Sequence, residues 1–343
     1  MDKNGLMQTD TSKEEDQTDM TKRRAKGEFV RGISGFRHAI GSAEFPAEPG
    51  RYHLFVALNC PWCHRVTLAR SILGLNDSIT MDVAFPNRTG DDDPAGPNLW
   101  EFAPHRVASL TQATLPECTV ETGTGLNLRL AKEIYRREGS DEQSLPILYD
   151  KKAGRIVNNE SAEIIRMLDT HAVALGAPKN RPQLLPKDKG TSAAVTALNE
   201  RIYLTINNGA YKAGFSSDQS VYTKAFNDYF KTLADLDDLL ADGRAFLTGK
   251  DFTEADLRLF PTLYRHDPVY YLRMKLNGAH ILDYRHLWRW LCRVYAFDGV
   301  AGAGSLTHCR QGYFGRSWNG VVPLGPQTPM SYPEAYRHPE LAR

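Results

Sequence analysis

His53-Leu54-Phe55-Val56-Ala57-Leu58-Asn59-Cys60-Pro61-Trp62-Cys63-His64-Arg65 is the stretch whose reading decides the fold. The apolar run that begins it has the composition of a buried strand. Pro61 suits the first position of a helix, where its missing N–H is not needed. Cys60 then stands at a strand-to-helix turn, against unpaired N–H groups and the positive end of the helix dipole. That environment favours the thiolate, the nucleophilic form of sulfur. A free cysteine can equally be a small inert core residue, but the place before a helix-starting proline favours the reactive reading. Cys63 follows one turn later and reads as a packed or resolving thiol. His64 and Arg65, in the first turns, read as solvent-facing or salt-bridging residues.

Working outward, residues 51–58 predict a strand, 61–74 a helix and 79–85 a second strand. Residues 86–122 are rich in Gly, Pro and Asp and lack periodicity, which marks a functional or mobile insertion. Leu126, Leu130, Ile134 and Tyr135 fall on one face and predict a helix over 125–138. Residues 145–150 and 155–158 read as paired strands around Lys151-Lys152-Ala153-Gly154, and 160–168 as a helix. This β-α-β-α-β-β-α order, with a cysteine at the first turn and Pro146 opening the third strand, is thioredoxin-like. Resemblance to that fold implies a cis peptide before Pro146, turning the backbone of Leu145 toward an extended peptide ligand.

The second half is helical in pattern, near 191–209, 219–241, 253–265 and 283–297. Thr253-Glu254-Ala255-Asp256 is a helix-start signal. The expected organisation is a disordered tail over 1–28, including Lys22-Arg23-Arg24; a thioredoxin-like domain over 29–170; a Pro-rich linker over 171–190; an all-helical bundle over 191–328; and a tail over 329–343. The stretch from 300 onward, rich in Gly and Pro, is expected to be irregular.

Composition narrows the function. The chain has 343 residues, of which 42 are basic and 41 acidic, for a formal net charge of +1. That balance offers no electrostatic case for nucleic acid or an anionic membrane. No apolar run of roughly 18 residues predicts a membrane span, and the first 28 residues hold no apolar core of a secretory signal. Five cysteines, an odd and sparse set, point to a reducing, cytoplasmic setting. A zinc site would need two more ligands than Cys60 and Cys63. Cys118, Cys292 and Cys309 form no second pair of that spacing, so no metal is expected.

Several longer motifs carry a specific resemblance over roughly residues 30–328. Cys60-Pro61-Trp62 with His64-Arg65, Asn159-Glu160-Ser161-Ala162-Glu163-Ile164-Ile165-Arg166, Asn207-Asn208-Gly209-Ala210-Tyr211-Lys212-Ala213-Gly214-Phe215 and Asp267-Pro268-Val269-Tyr270 occur in this order. Together they resemble the Xi class of glutathione transferases, the glutathionyl-hydroquinone reductases. The resemblance implies a thioredoxin-like domain followed by a helical one, glutathione as co-substrate, an aromatic glutathionyl-hydroquinone as substrate, and a homodimer.

Carried over position by position, it implies Cys60 as nucleophile, Trp100 as a glutathione contact, and Leu145 and Pro146 as the backbone dock. Glu160 and Ser161 would hold the γ-glutamyl end, and they also suit a helix cap. Tyr211 would handle a proton on the arene, and Tyr270 and Tyr313 would sit near the sulfur and lower its pKa. Without the resemblance, Trp100 and these tyrosines read as core residues with satisfied polar atoms.

Two positions depart from the family pattern. Cys63 stands where alanine is common, which opens a Cys60–Cys63 disulfide. Glu142-Gln143-Ser144-Leu145 replaces a common Arg-Val-Thr-Val, so an arginine contact to glutathione is lost while the backbone contact of Leu145 should survive. The expected activity is reduction of glutathionyl-hydroquinones through a Cys60–glutathione mixed disulfide. The rivals are a glutaredoxin-like or dehydroascorbate-reducing thiol transferase using Cys60 and Cys63, and a non-catalytic ligand carrier.

Overall fold

Strand β1 (Tyr52–Val56) is buried along its whole length, which is why the run at 53–58 is apolar on both faces. It pairs in parallel with β2 (Thr80–Val83) on one side and antiparallel with β3 (Ile147–Asp150) on the other; β3 in turn pairs antiparallel with β4 (Arg155–Asn158). The resulting order is β2-β1-β3-β4. The structure is a computed structural model and describes residues 24, 26–110, 124, 126, 128–315 and 319–326. Cys118, most of the 1–28 tail, the end of the 86–122 insertion and the 329–343 tail lie outside these residues.

Helix α1 (Pro61–Ile72) begins as expected, with Cys60 as N-cap and Pro61 at N1. It is buried nearly all round because it is a shared wall, packed against the helix at Ser161–His171 in its own half and against Glu254–Arg265 in the helical half. Helix α2 (Pro104–Leu110) falls inside the stretch expected to be irregular. Helix α3 (Ala131–Arg137) is shorter than the 125–138 reading. Leu130 pairs with Glu101 in an isolated bridge and so stays extended. The Glu133 carboxylate accepts from the N–H groups of Arg129 and Leu130, both at 3.0 Å, and sets the start of the helix. The Leu145–Pro146 peptide is cis, as the resemblance implies. Helix α4 (Ser161–His171) follows β4, with Glu160 as its N-cap.

The helical half comprises α5 (Lys189–Ile202), α6 (Asn208–Phe215), α7 (Gln219–Leu240), α8 (Glu254–Arg265), α9 (Arg285–Tyr295) and α10 (Leu306–Phe314). What reads in sequence as one helix over 191–209 is broken by a π turn at Tyr203–Asn207. There Asn207 is buried, donating to Arg258 O at 3.1 Å and Thr262 Oγ1 at 2.8 Å and accepting from Arg65. A second π turn, His266–Tyr270, follows α8. The Thr253–Asp256 capping box is present as predicted.

Helix α10 corrects the expectation of an irregular end. Ser305 caps it by accepting from His308 N–H at 3.3 Å, despite the glycines on either side. Its glycine at 312 has a packing cause: a Cβ there would collide with the Asn59 side chain. Helix and cysteine turn can therefore touch.

His64 and Arg65 are also corrected. Neither faces solvent: their exposures are 1% and 2%. His64 Nδ1 accepts from Arg265 at 2.8 Å, and burial followed by the neighbouring Arg265 charge pushes its pKa down, so it is neutral. Arg65 lies 4.6 Å from the Trp62 ring centroid and donates to Asn207.

Arg265 is itself fully buried, donating to Leu58 O at 2.8 Å, Asn59 O at 3.3 Å and Pro261 O at 2.8 Å. Replacing it by methionine would strand these carbonyls in a dry interior. Arg265→Met is expected to lower the unfolding free energy by roughly 3–5 kcal/mol. Urea unfolding followed by tryptophan fluorescence checks this, and an unchanged midpoint would refute it.

Candidate active site

A cavity of about 1070 Å³ opens between the cis-proline edge of the sheet and helices α6 and α10. Cys60, Trp100, Leu145, Tyr211 and Tyr313 all line it. Cys60 is half-buried, and its Sγ lies 3.8 Å from Leu145 O. Its backbone, at φ −79° and ψ 122°, is the extended N-cap conformation that aims the side chain along the helix N-terminus.

The Cys60 thiol pKa is lowered to about 6. The largest cause is a hydrogen bond from the Cys63 thiol. Burial opposes it, and the N–H groups of Cys63 and Trp62 and the charge of Arg31 add to it. Cys63 responds in the opposite direction: burial first, then the adjacent Cys60 sulfur, pushes its pKa well up. It is fully buried and stays a protonated donor. The two sulfurs are free thiols in this structure, not a disulfide.

Opposite the sulfur, three tyrosines share hydroxyl contacts. Tyr211 Oη lies 2.7 Å from Tyr313 Oη, and Tyr270 Oη lies 3.3 Å from the same atom. Burial, followed by the charge of Cys60, pushes Tyr211 up to about 12, and burial pushes Tyr270 and Tyr313 well above the usual range. All three therefore carry their protons at neutral pH. An ionised thiol facing a protonated phenol is an acid–base pair whose two pKa values are held apart by their surroundings.

Comparisons with known proteins bear on the family to which this fold belongs. Family models match over residues 59–171 (glutathione S-transferase, N-terminal domain) and 219–293 (glutathione S-transferase, C-terminal domain). The chain is 34% identical over 311 residues to the glutathionyl-hydroquinone reductase PcpF of Sphingobium chlorophenolicum, covering 89% of this chain and 91% of that one. It is 36% identical over 327 residues to the glutathionyl-hydroquinone reductase YqjG of Escherichia coli, covering 90% and 92%. The glutathione-bound structure of YqjG superposes with a TM-score of 0.73, covering 90% of this chain and 99% of that one. The glutathione transferase Xi of Phanerochaete chrysosporium superposes with a TM-score of 0.75 at 33% identity, covering 87% and 97%.

The chain belongs to the Xi class of the glutathione transferases.

In this Xi-class chain the remaining sequence-derived residues, Pro146, Glu160, Ser161 and Tyr270, do not themselves line the cavity. Glu160 and Ser161 start α4 beside Asn159, which lines the cavity. Ser161 is buried, and Glu160 Oε1 accepts from Ala162 N–H at 3.0 Å. Tyr270 is fully buried, its hydroxyl 3.3 Å from that of Tyr313, and Pro146 follows Leu145 through the cis peptide. The thiol-acidifying role that the resemblance gives Tyr270 and Tyr313 falls first to Cys63 here. Among the described residues no three His, Cys, Asp or Glu side chains gather as a metal site, and no helix is long and apolar enough to cross a membrane.

Sequence reasoning missed three cavity arginines, Arg31, Arg88 and Arg273, the last donating from Nε to Tyr313 O at 3.2 Å. Arg88 lies 4.2 Å from the Trp100 ring centroid, on a loop where Thr89 N–H donates to Leu99 O at 3.0 Å and Asn98 N–H to Thr89 O at 3.0 Å. Arg31 lies 3.7 Å from the Trp62 ring centroid. No periodicity marks any of the three; arginines stacked on aromatic faces are visible only once the segments are folded together.

Because its pKa is lowered, Cys60 should alkylate with iodoacetamide on a midpoint near about 6, not the free-thiol value of roughly 8.5. Reactivity is then full above that pH and is lost as pH falls through it. Cys63→Ala should move the midpoint upward by removing the principal donor. A Cys63→Ala midpoint equal to wild type would show that Cys63 does not play this part.

Proposed function

We propose that the protein reduces glutathionyl-hydroquinones to hydroquinones, with Cys60 as nucleophile and glutathione as the second substrate. One observation carries this reading: a cysteine with a lowered pKa at a helix N-terminus faces a protonated tyrosine pair across one cavity. The Cys60 thiolate attacks the sulfur of the glutathionyl thioether. A Cys60–glutathione disulfide forms and the carbon–sulfur bond breaks, leaving its electron pair on the ring carbon. Carbon is a poor leaving group, so the ring must be protonated as it departs, and Tyr211 or its partner Tyr313 is assigned as the acid. A second glutathione thiolate then attacks the mixed disulfide, releasing oxidised glutathione and restoring the Cys60 thiolate. The sum converts one glutathionyl-hydroquinone and one glutathione into hydroquinone and glutathione disulfide.

Trp100 and the Leu145 backbone are assigned to holding the tripeptide. Glu160 and Ser161, at the α4 N-terminus, are assigned to its γ-glutamyl end, where a helix start suits a carboxylate. The reading includes a cytoplasmic homodimer, supported by the sparse cysteines and by the family resemblance. A dithiol cycle through Cys60 and Cys63 is disfavoured by the full burial and raised pKa of Cys63. A non-catalytic carrier would have no need of an acidified thiol.

Cys60→Ser should abolish turnover of a glutathionyl-hydroquinone while still binding S-methylglutathione. Mass spectrometry of wild type quenched during turnover should map a glutathione adduct to Cys60. An adduct elsewhere, or an active Cys60→Ser enzyme, would sink the mechanism. Tyr211→Phe should lower kcat roughly 100- to 10,000-fold with little change in affinity for S-methylglutathione. An unchanged kcat would move the proton donor to another group.

A further inference from the structure

Residues 27–36 cross the mouth of the cavity from one half of the molecule to the other. At the helical end, Ser217 N–H donates to Gly27 O at 2.9 Å, Phe29 N–H to Ser216 Oγ at 3.1 Å, and Lys212 pairs with Glu28 at 2.8 Å. At the sheet end, Ser34 Oγ donates to Asn159 O at 3.3 Å and Phe36 N–H to Asn159 Oδ1 at 3.2 Å. Arg31 lies between these anchors and lines the same cavity as Cys60.

Its guanidinium is stacked at 3.7 Å on Trp62, and its Nη1 is buried with no hydrogen-bond partner among the described residues. No carboxylate among them forms an ion pair with it. A buried donor left unmade is destabilising until a ligand or water meets it. Stacking the flat face leaves the N–H edge free for a planar, two-oxygen acceptor.

Glu142 adds a second observation. It lines the same cavity and fastens this crossing segment, accepting from Gly35 N–H at 3.1 Å and from Asn159 Nδ2 at 2.7 Å. An acid on the cavity wall thus helps hold Arg31 over it.

We propose that Arg31 is a carboxylate-binding residue of the glutathione site, taking one of the tripeptide's two carboxylates on its free edge. The proposal rests on the reading that glutathione occupies this cavity. The two candidate carboxylates belong to the γ-glutamyl and glycyl ends, and the chemistry of recognition is the same for both.

The test is calorimetric titration of wild type, Arg31→Gln and Arg31→Lys with S-methylglutathione and with its two mono-amides, one blocked at each carboxylate. Arg31→Gln should weaken S-methylglutathione binding roughly 10- to 100-fold. Arg31→Lys should recover part of the loss, since it keeps the charge without the fork, and it carries the comparison if the glutamine variant does not fold. For the amide that lacks the carboxylate held by Arg31, the variants should bind no worse than wild type, which identifies that end. Equal losses for the parent and both amides would mean that Arg31 acts through the segment or the thiol, and would overturn the proposal. Variants binding S-methylglutathione as wild type does would overturn it alone. Wild type failing to bind would remove the glutathione reading and the proposal with it.

Discussion

The buried guanidinium of Arg265 is the constraint on which the rest of the site depends. It takes the carbonyls of Leu58 and Asn59, the two residues before the nucleophile, and joins them to α8 through Pro261 O. A charge in such a place persists only when its donors are satisfied, since desolvation would otherwise outweigh what it gains. Here carbonyl oxygens and the His64 ring nitrogen satisfy it. The same turn is held from two other sides: Cys309 Sγ lies 3.6 Å from Leu58 O, and Asn59 Nδ2 donates to Pro86 O at 3.1 Å. The turn that presents Cys60 is therefore a junction of α8, α10 and the loop after β2, not a free strand end.

From that fixed point the electrostatics follow. A buried neutral thiol behind Cys60 donates to it, the helix start adds N–H groups, and Arg31 adds charge. The same burial that makes Cys63 a donor raises the tyrosines across the cavity. One low-dielectric pocket thus favours the ionised form of one group and the neutral form of its neighbours. Hydrogen-bond donors surround the first, while the tyrosine hydroxyls meet one another.

Much of the fold was legible in the chain because its signals are local. The apolar run into β1, the proline that starts α1, and the Thr253–Asp256 cap each act within one turn of backbone, and each appears where expected. The misses have physical causes of the opposite kind. Helix α3 starts late because Leu130 is drawn into a bridge with Glu101. The break at Tyr203–Asn207 coincides with an Asn207 side chain committed to Arg258 and Thr262 on another helix. Helix α10 was hidden by its flanking glycines, at least one of which serves close packing rather than a loop.

The site divides in the same way. Sequence alone determined that Cys60 would sit at a helix N-terminus with a second thiol one turn behind it, since three consecutive residue types and a fixed helical repeat suffice for that. Only the tertiary structure decided that His64 and Arg65 are walled in, that Cys63 is a donor rather than a partner in a disulfide, and that Arg31 and Arg88 lie against tryptophans at the cavity. Those outcomes depend on which distant segments exclude water from one another. Burial and charge pairing are properties of the packed whole, and no short window of sequence contains them.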